Sequence, residues 1–237
     1  MKTRLSKLLF SVMLLPGLAI AQENDFLEDY SILGKVGEFG AAKMYVAAGT
    51  PERMKKYTKV MIDQPWIYVD PASKSKGMKP DSMTTIAETL RSAVSEAVSK
   101  QYKVVEQKGE GVLYFRWAVT NLYLQKPKRS LLAYTPVGAV ANAAKDGLTD
   151  FVNKNTLVDL RLEGELRDSV TGEVFVAMTV ERGQRKDKSA NTSEDPATWD
   201  ELFAIGTALG ERFACRLNNS QIDKTKWQDC TKIAIGK

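Results

Sequence analysis

The sequence predicts an α+β domain: a mainly antiparallel sheet of about five strands, two helices packed on one of its faces, and an irregular N-terminal arm. Three observations carry that expectation. Gly111 to Leu124, GVLYFRWAVTNLYL, alternates Leu113, Phe115, Trp117 and Val119 with Tyr114, Arg116, Ala118 and Thr120. That is the period of a strand with one face in a core. Thr156 to Asp168 and Glu173 to Arg182 read as a hairpin turned at Ser169-Val170-Thr171, with Asp168 and Gly172 supplying the turn chemistry. Two further segments, Ser82 to Tyr102 and the stretch behind Thr198-Trp-Asp-Glu201, carry apolar residues at helical spacing.

Taken in order, Lys2, Arg4 and Lys7 precede an apolar run, Leu8 to Leu18, and then Ala19-Ile20-Ala21. A basic start, a short apolar core and an A-x-A site describe a cleavable secretory signal over residues 1–21. The run is shorter than the roughly 20 residues a spanning helix needs. Cleavage after Ala21 makes Gln22 the new N-terminus and leaves residues 22–237 as one domain, expected to be soluble in the periplasm. Residues 22–58 show aromatics without sustained period, so they read as an arm lying on the core. Lys59 to Val69 alternates, but Pro65 cannot donate to a ladder, which argues for an edge strand or a bulge.

In the first helix Met83, Ile86, Ala87, Leu90, Val94, Ala97, Val98 and Gln101 form an apolar stripe. Thr85 and Glu88 could cap it, or Asp81 or Ser82 could. Lys103 to Glu106 is a short strand turning at Gly109-Glu110-Gly111 into the long one. Residues 131–153 are rich in small side chains and suit a close-packing helix or an irregular crossing equally. In the hairpin Val158, Leu160, Leu162 and Leu166 are expected inside, as are Val174, Val176, Met178 and Val180 of the return strand. Asp159, Arg161, Glu163, Glu165 and Arg167 are expected outside, so that face should be solvated. Trp199, Leu202, Phe203, Gly206, Leu209, Phe213 and Leu217 line one face of the last helix. Gly206 and Gly210 each cost helix propensity, roughly 1 kcal/mol relative to Ala, which close approach to the sheet would offset.

The chain has no histidine, which removes His-based bases, Ser-His-Asp triads and the common zinc sets together. No nucleophile elbow, phosphate-cradling loop or calcium loop is present. No catalytic residue, cofactor site or metal site is assigned. Glu163 and Glu165 share a strand face, and interleaved Arg161 and Arg167 make a charge-balanced surface the simpler reading than a carboxylate pair. Cys215 and Cys230 are the only cysteines. In an exported chain such a pair reads as a disulfide closing a loop of about 15 residues, worth roughly 3 kcal/mol. The formal charge of +5 drops to +2 once the signal is removed with its three basic residues, a weak field that argues against nucleic acid. Three basic loops remain: Lys74, Lys76 and Lys79; Lys126, Lys128 and Arg129; Arg182, Arg185, Lys186 and Lys188. Ordinary solvated loops are one reading. If the fold gathers two of them at one end of the sheet, an anionic envelope component is the other.

FLEDYSIL (Phe26 to Leu33), YTKVMID (Tyr57 to Asp63), the GEGVLYFRWAVTNL strand and Pro136-Val137-Gly138 resemble the bacterial lipoproteins grouped as domain-of-unknown-function family 3313. The resemblance implies an envelope protein of Gram-negative bacteria with no assigned activity and no catalytic residues to carry over. The sequence departs from the lipoprotein pattern in lacking a cysteine after the signal. Three readings of function follow: a binding or assembly module in contact with envelope partners, a hydrolase with an unidentified Ser or carboxylate, and a carrier of a small apolar ligand. A cavity with convergent polar groups would favour the hydrolase, and a dry one the carrier. Oligomeric state is not encoded in any of these features.

Overall fold

A computed structural model describes residues 26–35, 43–75, 79–126, 151–152, 154–183 and 199–233. The signal segment 1–21, most of the small-residue stretch 131–153 and the capping residue Thr198 lie outside the described residues. The strands are β1 (Gly34–Lys35), β2 (Lys43–Val46), β3 (Lys59–Ile62), β4 (Trp66–Val69), β5 (Lys103–Val105), β6 (Val112–Gln125), β7 (Thr156–Asp168) and β8 (Val174–Gly183). The helices are α1 (Thr50–Met54), α2 (Pro80–Ser99) and α3 (Trp199–Gln221), followed by short helical turns at Lys224–Lys226 and Cys230–Lys232.

The α+β class holds, but the sheet is mixed and larger than expected. Its order is β1-β2-β8-β7-β6-β3-β5, and β4 also pairs with β6. β3 and β4 both run parallel to β6, along successive parts of it: Lys59–Ile62 face Val112–Phe115, while Trp66 and Ile67 face Ala118 and Val119. Pro65 sits in the break between them, so the single expected strand 59–69 is two. β5 is parallel to β3, which lies between it and β6. The turn at 109–111 therefore does not make a hairpin. Local alternation cannot reveal that α2 carries the chain back to the starting level before β5, and it is this return that makes the pairing parallel.

The long strand keeps its predicted faces as far as Thr120. Asn121 then adopts φ 52°, a left-handed conformation that Asn tolerates better than most residues. The register with β7 slips between Thr120 and Tyr123, and again between Tyr123 and Leu124. This bulge reverses the phase, so Leu122 and Leu124 join Leu113, Trp117 and Val119 in the core. The slip passes to β7, where Leu157 rather than Val158 is buried. A third slip near Phe175 buries that ring instead of Val174.

α2 begins at Pro80 with Lys79 as N-cap and no side-chain cap. Thr85 lies a turn inside it, donating to the Asp81 carbonyl. Ile86, Ala87, Leu90, Val94, Ala97 and Val98 are buried, as the spacing predicts. α2 and α3 pack against each other over the sheet. The two glycines of α3 face α2, not the strands: a Cβ on Gly206 would meet Leu90 Cδ2 at 3.3 Å, and one on Gly210 would meet Ala97 Cβ at 2.8 Å.

The opposite sheet face is not left to water. Residues 26–33 lie across it, with Phe26 and Leu27 buried against Ala118, and Tyr30, Leu33 and Tyr68 around them. Of the described part of the expected irregular arm 22–58, only residues 26–33 lie on the core as an arm. Gly34–Lys35 and Lys43–Val46 pair into the sheet as β1 and β2, and Thr50–Met54 is helical. The effect of the arm on the charged face is not legible in the sequence. Glu163 and Glu165, expected outside, are 2% and 3% exposed.

Candidate functional site

Glu163 and Glu165 are the nearest approach to a catalytic carboxylate pair among the described residues. Glu163 accepts from Thr120 Oγ1 at 2.7 Å and from the Tyr30 hydroxyl, with Arg161 Nη1 3.7 Å away. Glu165 Oε2 receives Arg167 Nη2 at 2.7 Å and Arg116 Nη1 at 3.2 Å. Arg116 in turn lies 4.5 Å above the Phe26 ring. Burial pushes the Tyr30 phenol well above its ordinary range, and the Glu163 carboxylate adds to that. Each carboxylate is matched by cations and donors under a covering arm, which is the arrangement of a structural network.

A concave feature among the described residues lies on the helix face, at the end where β6 begins. It encloses about 270 Å³. Its floor is Phe115, Gly164, Leu166, Val176 and Met178 from β6, β7 and β8. One wall is Leu209, Phe213 and Leu217 of α3, and the other is Met44 and Val46 of β2 with Thr50, Pro51 and Met54 of α1. Polar groups are confined to Arg212, Arg216, Asn219 and Ser220 along α3 and to Thr50.

Gly164 explains how the floor forms. Phe115 lies over it, where a Cβ would come within 3.2 Å of the ring. That flat pose lets Phe115 stack between Trp117, with centroids 5.8 Å apart, and Phe213, at 5.6 Å. An isolated glycine between two glutamates in a strand is a sign of close approach, and reading the strand by alternation alone passes over it.

The mouth is built by the C-terminal tail. Cys215 and Cys230 form a disulfide, as expected, with Cα atoms 5.8 Å apart. Asn219 adds a two-way clamp, donating to the Gln228 carbonyl at 2.8 Å and accepting from its N–H at 2.9 Å. Together they hold the segment that carries Trp227, 42% exposed, which lines the cavity along with Val46, 52% exposed.

Of the predicted anionic contacts, Lys74, Lys79 and Lys126 are exposed and Arg182 is half-buried. Lys76, Lys128, Arg129, Arg185, Lys186 and Lys188 lie outside the described residues. Strand direction relates the strands that precede these segments. β4 and β6 are parallel, and β7 is antiparallel to both β6 and β8. β4, β6 and β8 therefore all finish at one end of the sheet, the end away from the cavity. Among the described residues no cluster of His, Cys, Asp or Glu could hold a metal ion, and no helix is long and apolar enough to cross a membrane.

The described residues thus form an apolar cavity on a mixed sheet, lined by α1, α3 and the stapled tail. The chain belongs to the family described as protein of unknown function DUF3313, whose model matches residues 22–205. No curated protein matches it. Among solved structures it is similar to PelC from Paraburkholderia phytofirmans, a dodecamer, at 11% identity and a TM-score of 0.33, covering 74% of this chain and 96% of that one. A neuraminyllactose-binding hemagglutinin homolog from Helicobacter pylori matches at 10% identity and a TM-score of 0.32, covering 80% and 95%. Likenesses this distant carry no functional argument.

Proposed function

We propose that this protein is exported to the periplasm and acts there as a non-catalytic binding module whose ligand seat is the cavity between α3 and the sheet. The observation that carries the reading is the lining: apolar side chains from β2, β6, β7, β8, α1 and α3 converge and outnumber the polar ones. Ligand sites are concave and mostly apolar with a few placed polar groups. Of the three sequence readings, this one joins the binding module to the apolar carrier. The hydrolase reading needs polar groups converging inside the cleft, and the buried carboxylates lie on the other face of the sheet.

The test uses N-phenyl-1-naphthylamine, a neutral probe whose fluorescence rises in apolar surroundings. The wild-type protein should bind it saturably, and Met178→Trp, which fills the floor, should abolish the signal while leaving the fold intact by circular dichroism. No saturable binding by the wild type overturns the reading. Export is tested separately: the periplasmic product should begin at Gln22.

A second reading concerns the three basic segments that follow β4, β6 and β8 in the sequence, of which Lys74, Lys79, Lys126 and Arg182 are among the described residues. Their sequences suit contact with an anionic envelope component. Replacing Lys74, Lys79 and Lys126 by Gln should weaken salt-sensitive binding to vesicles containing phosphatidylglycerol; undiminished binding removes those residues from the contact.

A further inference from the structure

The floor of the cavity is a trough laid across the strands. Val46, Val176, Leu166 and Phe115 are successive register partners on β2, β8, β7 and β6, and all four line the space. Met44, Met178 and Gly164 form a second such row beside it. Four strands about 4.8 Å apart make a row roughly 14 Å long. Its two ends differ. At β6, Phe115 is closed in by Trp117 and Phe213, whereas at β2, Val46 is exposed.

Volume and burial fit one kind of occupant. A cavity of about 270 Å³ is nearly twice the ~150 Å³ that holds benzene, so it has room for on the order of ten carbon atoms. Spread over the length of the row, that volume leaves the width of one hydrocarbon chain. Phe115, Val176, Met178, Leu209 and Phe213 pack against the core and yet are only half-buried, so a chain lying on them takes apolar surface out of water. The hydroxyl, amide and guanidinium groups of the lining are engaged within the molecule. Thr50 Oγ1 donates to the Ala47 carbonyl and Ser220 Oγ to the Leu217 carbonyl, both at 2.6 Å. Asn219 is clamped to Gln228, Arg212 holds the Ile233 carbonyl, and Arg216 is likewise engaged. Recognition is therefore left to hydrocarbon. We infer that the ligand is a single-chain amphiphile, held by one unbranched chain of on the order of ten carbons laid across β2, β8, β7 and β6. Its head group stays in water beside Val46 and Trp227, so the site selects chain length and is indifferent to the head. This inference rests on the cavity being the ligand seat.

Displacement of N-phenyl-1-naphthylamine by straight-chain alcohols tests it. Affinity should rise roughly tenfold from hexanol to octanol and again to decanol, two more buried methylenes each time. Dodecanol should gain less than about threefold more, because the row is filled at on the order of ten carbons. Adamantanol, which packs as many carbons as decanol into a compact cage, should bind about tenfold more weakly, since it covers less of the row. Decanoate and decyltrimethylammonium should each fall within about threefold of decanol, an exposed head charge contributing little. Val176→Phe puts a ring in the middle of the row, so decanol should lose its advantage over hexanol. If that variant loses its fold by circular dichroism, the wild-type series decides. Affinity that does not depend on chain length, adamantanol equal to decanol, or a head group that changes affinity more than about tenfold overturns the chain site while the bound probe leaves the cavity standing. Failure of the probe itself to bind the wild type overturns both.

Discussion

The Tyr30 hydroxyl donates to Glu163 across 133 positions of sequence, and it also accepts from the backbone N–H groups of Phe26 and Leu27 at 3.0 and 3.3 Å. One phenol thus closes the arm on itself and fixes it to the central hairpin. It also turns a face patterned for water into an interior.

Tyr30→Phe removes all three of these bonds and leaves a buried carboxylate short of a donor. Losing a bond to a charged group and the paired backbone groups should cost about 2–3 kcal/mol. For a domain of this size that lowers the melting temperature by about 5–10 °C. Hydrogen exchange should show faster exchange at residues 26–33 and at Ala118, with the α2–α3 pair unaffected. A loss of protection spread evenly over the molecule would contradict the latch.

The two glycines of α3 make opposite predictions. At Gly210 the new methyl would meet Ala97 Cβ at 2.8 Å and the Val94 carbonyl oxygen at 2.9 Å, and backbone cannot yield cheaply. Gly210→Ala should therefore destabilise by roughly 1–3 kcal/mol despite the gain in helix propensity. At Gly206 the neighbour at 3.3 Å is the end of the Leu90 side chain, which can turn aside, so Gly206→Ala should change stability by less than about 1 kcal/mol. Urea unfolding of both variants checks the contrast.

Opening the disulfide should act on stability and on the cavity together. The bridge spans a sequence separation of 15, for which loop entropy gives roughly 3 kcal/mol. Cys215→Ser combined with Cys230→Ser should lose about that much and red-shift the fluorescence of Trp227. It should also weaken N-phenyl-1-naphthylamine binding several-fold, because the rim residue is no longer held at the mouth. Undiminished probe affinity would separate the tail from the site.

Asp168 gives a pH signature. Its partial burial raises its pKa, but donation from the Tyr57 hydroxyl and from the backbone N–H groups of Thr171 and Val170 outweighs this, leaving it at about 2. A carboxylate depressed in the folded state stabilises above its unfolded value near 3.9, and that contribution fades as pH falls through about 2. Asp168→Asn should cost about 1–2 kcal/mol at pH 7, a figure reduced for solvent screening. The gap from wild type should close between about pH 4 and pH 2. Guanidinium unfolding at several pH values tests this, and a gap independent of pH would rule out the linkage.

The sequence by itself determined the element types, because periods of 2 and 3.6 are local properties: β6, the β7–β8 hairpin, α2 and α3 all follow from residues a few positions apart, and the Cys215–Cys230 bridge follows from there being two cysteines. The family was legible too, from Phe26 to Leu33, Tyr57 to Asp63 and the long strand. Direction and cover were decided only in three dimensions. Whether β3 runs parallel or antiparallel to β6 depends on where α2 returns the chain. The phase after Asn121 depends on one left-handed residue, and the fate of Glu163 depends on Tyr30 reaching it from 133 residues away. The cavity belongs wholly to this second kind. Its floor, walls and rim come from six elements and a tail, each contributing residues whose spacing alone looks like ordinary core, and only their failure to close over one another, with Phe115 flat on Gly164, leaves a space.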